Sequence, residues 1–433
     1  MVNEIINCVI ISTQCICNTN DMKNRTTLII KITAFAYIIR TFGLLIPNGN
    51  IIFLSKLLFA LMIWCAIIIF PYKSLKYNNF NKYGNLILKA LLILGIYQIC
   101  ITIFSENKIY NLVGGNKYMT LFFNADCALN FAPPIFAYLA TKENVIQSTV
   151  SGIKKILYSM IILLPLGNLF SFTPWFTTAI QPYTNKKNKF LIIIGFVLTL
   201  FVGLFGGARS SLVFLAFCFA AYFISYVINS RLLNKIFCIV TIILPFILFV
   251  PMMYNNGESV FEYLSNNLNI QDEEFTTDTR TFLYQELAED LTMTDSWIMG
   301  KGAFSHYYSH IFSISDSDES DFHYRMTVEV GVLNFLLHGG LVYVILYYGL
   351  FVLAILTALF KGKSKFMQCN AALLSGYFFC SFFACFVGIS FTYIYIFITI
   401  GFCLSRKWLN YSDQEIVNLF RPNRYENCRY KSN

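Results

Sequence analysis

A single arginine interrupts two of the most apolar runs of the chain, in GLFGGARSSLVFLAF at 203–217. A guanidinium stays charged beside a low-dielectric region, and its paired N–H donors match a phosphate. Gly206 and Gly207 next to it let the backbone come close to a ligand. Arg209 is therefore expected to hold a phosphate. Two more arginines stand in a polar stretch downstream. Arg280, in TDTRTFLYQELAEDL at 277–291, falls at the first turn of an expected helix with an apolar stripe of Phe282, Leu283, Leu287 and Leu291 and a cap at Thr277 or Asp278. It serves either a nearby carboxylate or a ligand. Arg325, in DFHYRMTVEVGVLNFLLHGG at 321–340, precedes Glu329 by four positions. If 326–340 forms a half-helix dipping into a membrane interface, Glu329 is carried with it. The carboxylate then pairs with Arg325 or has its pKa raised by desolvation. His338, before Gly339 and Gly340, reads as part of an interfacial turn. WIMGKGAF at 297–304 adds Gly300 and Gly302, which permit a close backbone approach to a ligand. The spaced acids of SDSDESD at 315–321 offer a rival chemistry, a divalent cation site. A solvated acidic run is the reading adopted, so no metal is assigned.

Holding such cations requires elements, and composition says which kind. With 57% hydrophobic and only 13% charged residues, and with runs such as FLIIIGFVLTLFVGLF at 190–205, the chain is too apolar for a soluble domain of its length. Lipid tolerates only helices or closed barrels, and long runs without alternation mean helices. The fold class expected is an all-α integral membrane protein with about 11–12 transmembrane helices and one large external loop between late helices. Spans are placed near 28–46, 51–70, 85–104, 119–140, 155–173, 190–207, 211–230, 235–253, 341–360, 366–387 and 389–404. The fourth, with Asp126, Pro133 and Pro134, is the weakest. Residues 1–20 lack a basic leader and a small-residue cleavage site, so no signal peptide is expected. The chain thus divides into an N-terminal segment (1–27), transmembrane helices (28–253), a large external loop (254–325), a re-entrant half-helix with the last spans (326–404) and a basic cytoplasmic tail (405–433).

Charge orients these spans. Arg231, Lys235, Lys361, Lys363, Lys365, Arg406 and Lys407 share one side if the late spans are as drawn, and that side is cytoplasmic. Arg209 and 254–325 then face outward. Lys73, Lys76, Lys82, Lys154 and Lys155 also prefer the inside, and no simple parity satisfies them together with the later loops. A miscounted or re-entrant segment is therefore expected between 105 and 190. Fourteen of the 23 acidic residues lie in 254–325, against Arg280, Lys301 and Arg325. The net charge of +9 is therefore an inner-face property, and no nucleic-acid partner is expected. Most of the 13 cysteines sit in spans and read as small buried hydrophobes.

The order of these motifs carries a resemblance. An outward GGARSS opening a late span, then a large external loop with TRTFLYQE followed by IMGKG, then HYRMTVEVGVLNFLLHGGLVY leading into the next span, resembles the O-antigen polymerase and ligase family of bacterial polysaccharide assembly. The likeness covers roughly 190–360. It implies a multi-pass protein of the bacterial inner membrane with a periplasmic loop. The implied reaction moves a glycan from an undecaprenyl pyrophosphate donor to the terminal sugar of a lipid-linked repeat unit, without metal or other cofactor. The implied partners are the undecaprenyl-pyrophosphate-linked oligosaccharide, membrane lipid and a chain-length-regulating membrane protein.

In such a reaction an acceptor hydroxyl attacks the anomeric carbon while pyrophosphate leaves, so the site needs cations for the departing charge and a base for the proton. Arg209 and Arg280 match the family's arginines and are assigned to the pyrophosphate. Arg325 either joins them or orients Glu329. His323 or Glu329 is the base; His323 matches a ligase histidine in place, but it is followed by Tyr324 rather than a small polar residue, so polymerase is preferred over ligase. Tyr284, Tyr307, Tyr308 and Tyr324 are candidates for stacking on sugar rings. A lipid-linked-sugar flippase is the alternative of another class, disfavoured because the polar residues are concentrated in one loop.

Overall fold

The computed structural model describes residues 19–46, 48–76, 78–104, 117–124, 127–163, 175–183, 190, 193, 196–197, 200, 209–249, 281–309, 324–384 and 391–420. They form a helical bundle with one two-residue ribbon. The main elements are α1 (Thr19–Leu45), α2 (Gly49–Ile68), α3 (Lys82–Phe104), α4 (Lys117–Phe123), α5 (Asn144–Leu163), α6 (Trp175–Ile180), α7 (Arg209–Tyr222), α8 (Arg231–Phe249), α9 (Thr281–Met293), α10 (Gly331–Lys361), α11 (Lys365–Cys380), α12 (Phe391–Leu404) and α13 (Asp413–Phe420). Strands β1 (Tyr307–Tyr308) and β2 (Tyr324–Arg325) pair antiparallel.

Five of the described helices, within α1, α2, α3, α8 and α10, are long and apolar enough to cross a membrane. Their exposed faces are greasy: Leu86, Ile93 and Ile96 on α3, and Leu232, Ile236, Val240, Ile243 and Ile247 on α8, lie open at the surface. Water would penalise so continuous an apolar exterior, whereas lipid does not. Inside this ring, α11 and α12 are buried along nearly their whole described length. An aromatic core of Tyr343, Tyr347, Tyr377, Tyr393 and Phe397 fills the space between α10, α11 and α12. Two buried hydroxyl contacts lie in and beside it, Tyr347 with Tyr393 (2.9 Å) and Tyr348 donating to Ser381 Oγ (2.9 Å).

The expected span at 119–140 is not one helix. It is α4 followed by two tight 3-10 stretches, Ala128–Phe131 and Pro133–Thr141. Two consecutive prolines without N–H groups rule out a regular α-helical ladder there. The path nevertheless runs through the bundle, because Lys117 reaches the Ile103 carbonyl at the far end of α3 while Tyr138 donates to Asn85 near its start. The span placed at 155–173 begins earlier, at Asn144, and 164–173 lies outside the described residues. Most of 190–207 also lies outside them. The span at 211–230 is α7 continued by a π-helical turn, Phe223–Ile228, that ends on Asn229 in the left-handed region (φ 56).

One end of the bundle gathers the cations. Arg231 donates to the Lys363 carbonyl, Lys407 pairs with Glu143 (2.6 Å), the Asn81 amide donates to Leu404, and the Lys365 amide and the Tyr183 hydroxyl share Asp413. Lys73, Lys76 and Lys82 therefore stand at the same end as Lys361, Lys363, Lys365 and Arg406. The parity conflict disappears for these three, whereas Lys154 and Lys155 lie midway along α5. The start of α1 is there too, since Thr27 meets Asn144 and Ser148 at the start of α5. The chain leaves that end along α5 to Leu163 and is back at it by Tyr183. Among the described residues, α1 begins and α13 ends at the basic end.

Candidate functional site

The opposite end carries α9, the ribbon and the first part of α10. Helix α10 is broken at Gly340, which has φ 68 and ψ −175, so the expected half-helix exists but runs from Gly331 rather than Met326. Residues 331–340 are all buried. A break in a buried helix strands the carbonyls of Leu337 and His338 and the amides of Leu341 and Val342, and each would be costly unpaired. The strap at 297–302, built of turn and bend, supplies all four partners. Lys301 N–H donates to Leu337 (2.8 Å) and Gly302 N–H to His338 (3.1 Å), while Leu341 and Val342 donate to Trp297 (2.8 Å) and Ile298 (3.2 Å). The strap thus takes the place of two helical hydrogen bonds with four of its own.

Glycine makes this approach possible. A Cβ on Gly340 would stand 2.3 Å from the Ile298 oxygen, and one on Gly300 (φ 69) 2.5 Å from the Gly340 nitrogen. The close approach expected of WIMGKGAF is real, but its target is the chain's own helix break and not a ligand. His338 is corrected likewise. It is no interfacial turn but a buried side chain whose Nδ1 lies 3.0 Å from the Gly302 oxygen and 2.9 Å from Ser305 Oγ, tying the strap to the break. Gln98 of α3 holds the other side, its Nε2 donating to Met299 at 2.6 Å.

Above the break, α9 presents Leu283, Leu287 and Leu291, all buried, as its spacing predicted. Tyr284 faces inward as well, and its hydroxyl donates to the Phe382 carbonyl at the end of α11. Burial pushes that hydroxyl's pKa up. Tyr284 and Tyr307 are thereby removed as sugar platforms, because both are closed off from solvent. Tyr308 and Tyr324 face each other across the ribbon with ring centroids 5.5 Å apart, and both keep partial exposure.

Arg325 pairs with Glu329 at 3.1 Å, one of the two arrangements expected of that carboxylate. The segment joining them is strand and bend rather than helix, and Glu329 is more than half exposed. Register sets Arg325 opposite Tyr307. The Tyr307 hydroxyl is pushed up to about 12, chiefly by burial; the Arg325 guanidinium opposes the shift, while Glu286 and Glu329 add to it. Two carboxylates of α9 complete the cluster: the buried Glu286 accepts from Ser309 Oγ at 2.8 Å, and the partly buried Asp290 pairs with Lys301. Sequence reading left Glu286, Asp290 and Lys301 unassigned. Their four-residue spacing on one helix face was legible, but their partners depend on the strap's path.

The other assigned residues are placed as follows. Arg209 is the first residue of α7; its side chain lies outside what is described. Phe217 of α7 packs on Phe379 near the end of α11, and α7 then runs toward Tyr226 and Tyr183 at the basic end. The backbone of Arg209 is consequently at the same end of the bundle as α9 and the ribbon. Arg280 and His323 lie outside the described residues, next to α9 and β2 respectively, as do Asp126 and the SDSDESD run. Among the described residues, no three His, Cys, Asp or Glu side chains gather where they could share a metal ion. No protein-family model, no curated protein and no solved structure matches this chain.

Proposed function

We propose that the chain is a polysaccharide polymerase of the O-antigen or capsule type, acting at the outer face of a bacterial inner membrane through twelve membrane spans. The observation that carries this reading is the common placement of the Arg209 backbone, the helix that follows Arg280 and the Arg325–Glu329 pair at one end of the bundle, opposite the basic end. An undecaprenyl pyrophosphate presents its diphosphate at such a boundary, with its tail in lipid. Arg209 and Arg280 grip the diphosphate, and Arg325 adds charge or orients Glu329. The acceptor hydroxyl attacks the anomeric carbon, the carbon–oxygen bond to the diphosphate breaks, and its electron pair leaves with undecaprenyl pyrophosphate. The hydroxyl proton passes to Glu329 or His323. Arginines suit this work because they stay protonated beside lipid and bind phosphate oxygens in pairs.

A lipid-linked-sugar flippase is the competing reading, since broken helices are where many transporters bind substrate. Here the break offers no open backbone groups for that purpose, because the strap occupies them. The two readings differ in products. Purified protein in proteoliposomes, given an undecaprenyl-pyrophosphate-linked repeat unit, should release one free undecaprenyl pyrophosphate for each glycosidic bond formed. Translocation of the lipid without release would overturn the polymerase in favour of the flippase.

A further inference from the structure

At the basic end of the bundle, the start of α8 meets the end of α10. Arg231, the first residue of α8, donates to the Lys363 carbonyl just past α10 at 2.9 Å. One turn further into α8, the Lys235 ammonium stands over the Phe360 ring of α10, 4.9 Å from its centroid. The ring fixes that ammonium without cancelling its charge. Lys361 and Lys363 are exposed beside them, so four cations share one seam. Among the described residues, no carboxylate lies within ion-pair distance of any of the four. Glu415, whose carboxylate feels Lys363, is engaged by the Ser412 amide and hydroxyl, both at 2.8 Å. Such a gathering is unfavourable by itself. Like charges repel, and Arg231 opens a helix whose macrodipole already makes that end positive. An anion at the seam removes both penalties.

The apolar surface beside the cations decides which anion. Phe360 is 60% exposed, and Leu232, Ile236, Ile239 and Ile243 form an open stripe that runs along α8 away from the seam. Both α8 and α10 are long and apolar enough to cross a membrane. Their ends then lie among lipid headgroups, and the stripe lies among acyl chains. A soluble phosphate would meet the cations and leave the stripe uncovered, whereas a zwitterionic lipid would cover the stripe and bring a cation of its own. We infer that the seam between the start of α8 and the end of α10 binds one anionic phospholipid. Arg231, Lys235, Lys361 and Lys363 hold its phosphate, and an acyl chain lies on the Leu232–Ile243 stripe. The bound lipid joins α8 to α10. This site is at the end of the bundle opposite the ribbon and is independent of the glycan-transfer reading.

The test is native mass spectrometry of the full chain in detergent, titrated with phosphatidylglycerol or with phosphatidylcholine of the same acyl chains. Wild type should bind the first phosphatidylglycerol about tenfold or more tightly than phosphatidylcholine. Arg231→Gln with Lys235→Gln should bring the two lipids to within about threefold, with phosphatidylcholine binding unchanged. Arg231→Lys with Lys235→Arg keeps both charges and should keep the preference, which separates loss of charge from loss of fold. Lys73→Gln with Lys76→Gln, at the same end but between α2 and α3, should keep it too. Equal affinity of wild type for the two lipids would overturn the site. An equal loss in the Lys73, Lys76 variant would also overturn it, leaving only the diffuse attraction of a basic surface. Displacement of phosphatidylglycerol by an equal concentration of inorganic phosphate would overturn the lipid as occupant and mark the seam as a site for a soluble anion.

Discussion

Replacing Gly340 by alanine puts a methyl group where the strap already is. Its Cβ would stand 2.3 Å from the Ile298 oxygen and 2.4 Å from the Gly300 nitrogen, both backbone atoms that cannot swing aside. The φ of 68 and ψ of −175 add a conformation that is essentially glycine's own, costing about 1–3 kcal/mol for another residue. To relieve the overlap the strap must withdraw, which loosens four hydrogen bonds worth about 0.5–1.5 kcal/mol each. The sum starts near 3 kcal/mol, which corresponds to a more than hundredfold rise in local opening. Hydrogen exchange of the purified chain in detergent should show that acceleration at Lys301, Gly302, Leu341 and Val342, with α12 as an internal standard. Gly349→Ala in the same helix is the control, since nothing lies within 4 Å of its added Cβ. Alanine there should leave exchange unchanged or slower, as helix propensity favours it. Wild-type exchange at the four amides in Gly340→Ala would refute the strap as the partner of the break.

Three further outcomes follow from the same structure. Glu143 is held below the ordinary carboxylate range chiefly by its hydrogen bond from Lys407, helped by Tyr411. A depressed carboxylate stabilises the fold above its unfolded pKa of about 4.3 and loses that contribution as pH falls through the folded value. The wild-type advantage in Tm over Lys407→Met should thus be present at pH 7 and vanish at low pH; with both side chains near half exposed it stays under about 1 kcal/mol. An advantage that grows on acidification would contradict the pairing. In whole cells, cysteines introduced at Lys363 and at Ser296 should react with a membrane-impermeant thiol reagent only after permeabilisation for the first and without it for the second. Labelling of both from one side would contradict the two-ended bundle. Arg325→Ala should lower glycan transfer by more than tenfold while Arg325→Lys recovers part of it, the bidentate geometry being lost and the charge kept. Equal activity of all three proteins would remove Arg325 from the site.

Apolar runs were legible wherever one helix is by itself long and apolar enough to cross a membrane, as in α2, α3 and α8, because length and composition alone decide those. The path from Lys117 to Thr141 was not, since its prolines replace one helix by three short pieces that together still traverse the bundle. The late lysines share one end, as their charge suggested, yet Lys73, Lys76 and Lys82 could join them only when contacts such as Asn81 with Leu404 brought distant segments together. At the candidate site, the Arg325 to Glu329 spacing predicted the pair but implied a helix that is instead strand and bend. Gly300, Gly302, Gly339 and Gly340 announced a close backbone approach. Which backbone approached which could not be read, because Gly300 and Gly340 meet across forty residues of chain and no local pattern links them.

The guanidinium site is tested most directly by the glycan ladder made from an undecaprenyl-pyrophosphate-linked repeat unit in proteoliposomes bearing the Arg209→Ala, Arg280→Ala double variant, compared with wild type at equal folded amount. Wild type should extend the unit into long chains, and the double variant should leave it as a monomer. A ladder of unchanged length from the double variant would contradict the account.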